Sequence, residues 1–327
     1  MLERLRHTGQ FCFAGSQDWP LLSGLLSCPT RIWAQALCWE PDERIEPKKE
    51  CIMKIIRGIL ILLLPAIILF SGCAQMAGSG LGSSPVIDRI TARGELIVGM
   101  AGDMPPMHMT TKAGEIIGLE ADMARMMADS MGVDLRIETM PFSELLGAVD
   151  SGQVDLVISS VTITPQRNMK VAFVGPYFVS GKALLTKMDS LASAEKPDQL
   201  NRSTLTLTVL KGSTSQLFVE TLIPEAQLAA ADTYDDAIQL VLQDKADALI
   251  ADLPFCLFSV LRYPEADLVS LINPWTYEPL GIVLPKGDPH LINWTTNFFN
   301  ILEGTGGLDL LKDLWFKERS WLDQLPK

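Results

Sequence analysis

The chain has 327 residues, 48% of them hydrophobic and 20% charged, and a formal net charge of −12. That is globular composition with length for two modest domains, and its acidity excludes nucleic acid as a partner, since phosphate binding needs a basic surface. His7, His108 and His290 are the only histidines, and without an HExxH, a paired CxxC or a Walker-type loop neither a metal nor another cofactor is expected.

Residues 1–52 carry Cys12, Cys28, Cys38 and Cys51 without metal-like spacing. They read as an upstream start-site extension, because Met53 sits where an initiator would; a genuine cytoplasmic extension is the alternative. Residues 53–72 read as a signal peptide: Lys54 and Arg57 precede an apolar run from Gly58 to Phe70, shorter than the ~20 residues of a membrane-spanning helix. Phe-Ser-Gly-Cys resembles a bacterial lipobox, although Phe70 stands where Leu, Val or Ile is usual. Cys73 is therefore the expected lipidation site, against an ordinary cleaved signal or an uncleaved anchor. The Gly/Ser-rich stretch within 73–85 then serves as a flexible tether. Beyond Cys73 the only cysteine is Cys256, in an apolar helical stretch, where it reads as a small buried hydrophobe.

From Ile87 onward, short apolar runs alternate with helical patterns. ELIVGM (95–100) predicts a strand, and Leu119, Met123, Met127 and Met131 predict a core-facing helix stopped by Gly132. DLRIET (134–139) and DLVIS (155–159) predict strands with a helix over 142–150 between them. A second block follows with a strand at 204–210, a helix beginning in STSQLFVETL, a helix at 237–243 and a strand at 247–251. Strand–helix alternation predicts an α/β fold with parallel sheets. AVDSGQVDLVISS and LVLQDKADALIAD share one order of helix, polar turn, Asp, apolar strand and polar end, which suggests two similar lobes.

In open α/β sheets ligands collect at the carboxyl ends of strands, where Ser160 and Asp252 fall. Thr164-Pro165 reads as a helix start, which puts Arg167 in a first turn, where a cation is disfavoured unless an anion joins it. Ser160, Thr162, the helix-start N–H groups and Arg167 together suit a carboxylate. In the second block Ser213 or Thr214 caps another helix, and Asp252 suits an ammonium. Taken singly, Arg167 could pair with a surface carboxylate and Asp252 could cap the helix at Leu253; taken together they predict a clamp for an α-amino acid.

The sequence resembles the family 3 extracellular solute-binding proteins, the polar amino-acid receptors of ABC importers. The resemblance covers 86–327 through GELIVGM with its Pro-Pro turn at 105–106, GEIIGLEADMA (114–124), VDLVISSVTITPQR, VAFVGPYFVSG (171–181), VLKGSTSQ, DALIAD and the terminal GTGGLDLLKDLWF; Val174-Gly175 departs from the pattern. It implies an α/β, two-lobed periplasmic-binding-protein type 2 (Venus flytrap) fold with a discontinuous first lobe, residues 86–182 and 279–327, around a second lobe of 183–278. It also implies that Arg167 and the Thr162 and Thr214 amides hold a ligand carboxylate. Asp252 would hold the ammonium, helped by Ser160 and Thr162. Met104 and Met107 stand where relatives often carry an aromatic, with Phe142 opposite; they either form an adaptable wall or pack the lobe edge. The implied protein is a monomeric, membrane-anchored lipoprotein on the periplasmic or extracellular face, handing an amino-acid-like ligand to an ABC permease. A periplasmic dehydratase acting on arogenate or prephenate, with His108 and Glu144 as nearby acid–base candidates, and a sensory module are the alternatives. No residue is assigned to the ligand side chain: Asp103 is near, in an undefined direction.

Overall fold

The computed structural model describes residues 84–326. The start extension, the signal segment, Cys73 and all but the end of the tether lie outside the described residues.

Helix α1 (Pro85–Arg93) begins on Ser84, whose hydroxyl accepts from the Ile87 N–H, and ends on Gly94. Strand β1 (Glu95–Met100) leads into a small ribbon of β2 (Asp103–Met104), β3 (His108–Thr110) and β4 (Ile116–Ile117). Helix α2 (Leu119–Met131) buries Leu119, Met123 and Met127, so the methionine spacing is core packing. Its entry requires glycine at 118: φ is 132°, and a Cβ there would lie 2.3 Å from the Met107 carbonyl oxygen. Next come β5 (Asp134–Thr139), α3 (Leu145–Ser151), β6 (Leu156–Val157), α4 (Pro165–Asn168) and β7 (Ala172–Ser180).

The second lobe's sheet and its helices comprise β8 (Lys182–Thr186), α5 (Asp189–Ala192), β9 (Thr206–Leu210), α6 (Thr214–Leu222), β10 (Gln227–Ala231), α7 (Tyr234–Leu242), β11 (Ala248–Asp252), α8 (Leu253–Arg262) and β12 (Val269–Ser270). The chain then adds β13 (Glu278–Leu284), α9 (Pro289–Gly304) and α10 (Gly307–Lys317).

The two five-stranded sheets run β5-β1-β6-β13-β7 and β10-β9-β11-β8-β12. In each, three strands are parallel and two more join antiparallel. The first sheet takes β13 from late in the chain, which makes the first lobe discontinuous. The echo in the sequence has a physical counterpart. Asp155 accepts the Ile97 N–H of β1 at 2.9 Å, and Asp247 accepts the Thr206 N–H of β9 at 2.7 Å. In both sheets a carboxylate just before one strand thus accepts a backbone N–H of its parallel neighbour.

Two passes of chain connect the sheets, and they touch at Gly181. A Cβ there would meet the Thr276 carbonyl oxygen at 2.2 Å, so only glycine lets the strands run this close.

Candidate functional site

Thr164 caps α4 by accepting the Arg167 N–H at 3.2 Å, with Pro165 at the first helical position. Arg167 reaches back from this turn. Its Nη1 donates to the Thr162 carbonyl at 3.0 Å and its Nη2 to the Gly212 carbonyl at 3.2 Å, so it joins both lobes. The guanidinium lies over the Phe142 ring, 5.7 Å from the centroid. Burial pulls its pKa down, while the charges of Glu278 and Asp252 push it up.

Thr162 bridges β13 at Leu280 through the Ile163 and Gly281 N–H groups, a pattern that leaves the Thr162 N–H free of that bridge. Across the cleft, Ser213 is the N-cap of α6, so the Thr214 N–H is a first-turn donor without a helical partner. The two threonine hydroxyls meet at 3.3 Å.

Asp252 occupies the N-cap position of α8 but its side chain makes no cap hydrogen bond. It turns instead to Lys182, whose Nζ donates to Oδ1 at 2.6 Å. Glu278 approaches the same ammonium at 3.6 Å, and its two oxygens accept from the Thr214 and Thr276 hydroxyls, each at 3.0 Å. Lys182, Asp252 and Glu278 are all buried. Burial raises the Asp252 pKa and Lys182 counters it.

A third group sits beneath. Ser160 adopts φ 51°, a conformation unusual for a side-chain-bearing residue. Both its N–H and its hydroxyl donate to Glu120 Oε1 at 2.8 Å, joined by the Tyr177 hydroxyl at 2.5 Å. His108 accepts the Gly102 N–H on Nδ1, which places its ring proton on Nε2, toward Ser159 at 3.1 Å and Glu120 at 3.5 Å. Burial lifts Glu120 to about 7 and drops His108 to about 3.

These groups surround a narrow cavity of about 10 Å³, roughly the room of one water molecule. Met104, Phe142, Ser160, Thr162, Thr214 and Asp252 line it, together with Asp103, His108, Lys182 and Tyr234. Arg167 is not itself among the lining residues; it stands behind the edge, touching the lining residues Thr162 and Phe142. Met107 is not among the lining residues: it is fully buried in the core, its carbonyl packed against Gly118. Glu144 is also absent from the lining. Lys182, Glu120, Glu278 and Tyr177 escaped sequence reading; the available signal was a lysine inside the apolar run VSGKALLT. Among the described residues no cluster of His, Cys, Asp and Glu suits a metal ion, and no helix is long and apolar enough to cross a membrane.

An interlobe cavity with a guanidinium behind one edge and a buried carboxylate in its wall defines a two-lobed binding protein. The chain belongs to the bacterial extracellular solute-binding proteins, family 3, whose model matches residues 96–318. It is 25% identical over 254 residues to the L-cystine-binding protein TcyJ of Escherichia coli K12, covering 74% of this chain and 90% of that one. It is 24% identical over 233 residues to the cyclohexadienyl dehydratase of Pseudomonas aeruginosa, covering 71% and 87%. Among solved structures, a binding component of an ABC transporter from Wolinella succinogenes, complexed with lysine, superposes with a TM-score of 0.67 at 36% identity, covering 71% of this chain and 99% of that one.

Proposed function

We propose that this protein is the solute receptor of an ABC importer and grips an amino acid between its lobes. The ligand carboxylate lies against Arg167 and the Thr162 and Thr214 N–H groups, and its ammonium lies against the free oxygen of Asp252. The observation that carries this reading is the placement of Asp252 in the wall of a cavity whose lining residues Thr162 and Phe142 are held by Arg167. Closure would bury both ligand charges in paired, hydrogen-bonded settings, which is the condition for burying charge at tolerable cost. The relatives named for cystine and crystallised with lysine support the ligand class. The lipobox-like FSGC at 70–73 supports a lipid anchor at Cys73 on the outer side of a membrane, and membership of the solute-binding family supports a permease as partner.

A dehydratase needs a positioned acid or base in the cleft. His108 is held neutral with both ring nitrogens engaged, and Glu144 lies outside the cavity wall, so the binding reading is preferred. A thermal-shift screen of the purified protein against amino acids, dicarboxylates, polyamines and prephenate tests the assignment, since a ligand of the folded state raises its apparent stability. Stabilisation by one or more amino acids is expected. Turnover of prephenate without amino-acid binding would reverse it.

A further inference from the structure

The ammonium pole of the cavity contains more than one carboxylate and already holds a cation. Lys182 is buried, donates to one oxygen of Asp252 at 2.6 Å, and stands 3.6 Å from Glu278. Asp252 and Glu278 are therefore two anions around one resident ammonium. The other Asp252 oxygen receives no hydrogen bond from the described residues, whereas both oxygens of Glu278 are engaged by threonine hydroxyls. Glu278 thus sits as a fixed counter-ion, and Asp252 keeps an open acceptor in the cavity wall.

We propose that Lys182 and Glu278 act as one specificity-determining unit, with Glu278 neutralising the resident lysine so that Asp252 stays available to a ligand ammonium. With all three groups ionised the pole carries one negative charge, and a single ligand cation balances it. Behind the other edge Arg167 carries one positive charge, balanced by a single carboxylate. These two poles are thereby matched to one cation and one anion on the ligand, while Asp103, the other carboxylate of the lining, accepts the Tyr234 N–H. Without Glu278 the lysine would satisfy Asp252 alone, the pole would be neutral, and an incoming ammonium would gain nothing there while meeting a like charge. The lysine and the glutamate therefore make sense as a pair and not singly. Thr214 ties this unit to closure, because its hydroxyl, 3.3 Å from Thr162 in the other lobe, also bonds Glu278.

This inference rests on the amino-acid reading above. The test is calorimetric titration of wild type, Glu278→Gln and the Lys182→Met/Glu278→Gln double variant. The probes are the common L-amino acids and, for each that binds, its 2-hydroxy counterpart, which lacks the amine. Glu278→Gln is expected to lose about tenfold or more for the amino acid while the hydroxy acid changes less than about twofold. The double variant restores a single uncompensated carboxylate and is expected to regain the amino-acid preference. Equal losses on both ligand series, or a double variant that regains nothing, would overturn the unit while leaving the receptor assignment standing. Failure of the wild type to bind any amino acid would overturn both.

Discussion

Asp103 Oδ2 accepts the backbone N–H of Tyr234 at 2.7 Å, joining the ribbon of the first lobe to the first residue of α7 in the second. A carboxylate at a helix start meets unpaired N–H groups and the positive end of the helix dipole. Burial nevertheless lifts Asp103 to about 6; the Tyr234 N–H works against that lift, and Asp235 and Asp236 add to it. Its other oxygen, Oδ1, is buried without a partner. Asp103→Ala removes the cross-lobe acceptor, worth about 1.5–3 kcal/mol for a charged partner, and should weaken ligand binding about tenfold or more. Asp103→Asn keeps an acceptor oxygen and should lose much less. Calorimetry with the ligand found by screening checks both, and equal affinities in both variants would remove this bond from closure.

Arg167 is fixed by planar geometry as well as charge: its two N–H donors reach the carbonyls of Thr162 and Gly212, one in each lobe, while the guanidinium plane covers Phe142. A lysine offers one compact charge and cannot make that fork. Arg167→Lys should therefore bind carboxylate ligands about tenfold or more weakly, and Arg167→Ala about a hundredfold, with urea midpoints close to wild type. Retention of wild-type affinity by Arg167→Lys would show that charge alone is used.

The paired aspartates of the two sheets should differ in stability. Asp155 is fully buried and takes the Ile97 N–H, the Arg89 guanidinium at 2.9 Å and Arg93. Asp247 is half-buried, and its carboxylate takes the Thr206 N–H without an arginine among the described residues. Asp155→Asn swaps an acceptor for a donor facing donors, and should cost about 2–4 kcal/mol in urea unfolding. Asp247→Asn should cost about 1 kcal/mol. Equal costs would mean the arginines contribute nothing.

What sequence reading captured here is what local pattern encodes. DLRIET (134–139) forms β5 over the expected residues, and the Thr164-Pro165 start forms as read. The expected strand at 155–159 shortens to Leu156–Val157, because the residues after it turn into the cavity rather than extend the ladder. The ribbon at 103–117 was missed: its strands are two or three residues long, too short for any period to show. The site was legible where one residue type implies one chemistry, as with Arg167 and Asp252. Lys182 was not, because its role comes from a carboxylate 70 residues later in sequence, brought opposite it by the pairing of β8 and β11. Glu278 depends likewise on the chain returning to the first sheet.

Glu120 and His108 supply the pH dependence, with opposite signs. Burial lifts Glu120 from 4.5 to about 7, so between those values the native state keeps a proton the unfolded chain has released, and stability falls as pH rises. Burial drops His108 from 6.5 to about 3, so between those values the unfolded chain binds the extra proton, and stability rises with pH. From about 4.5 to 6.5 the pair holds one proton in either state, and the two slopes cancel. His108→Gln should expose the Glu120 slope and lose stability, relative to wild type, as pH rises from 5 to 6. Glu120→Gln should expose the His108 slope and gain stability over the same interval. Each difference approaches about 1.4 kcal/mol per pH unit. Asp103 contributes equally in all three proteins and drops out of the comparison. Urea midpoints at pH 5 and 6 read it directly, and variants whose slopes match wild type would show that the two side chains do not share a proton in this way.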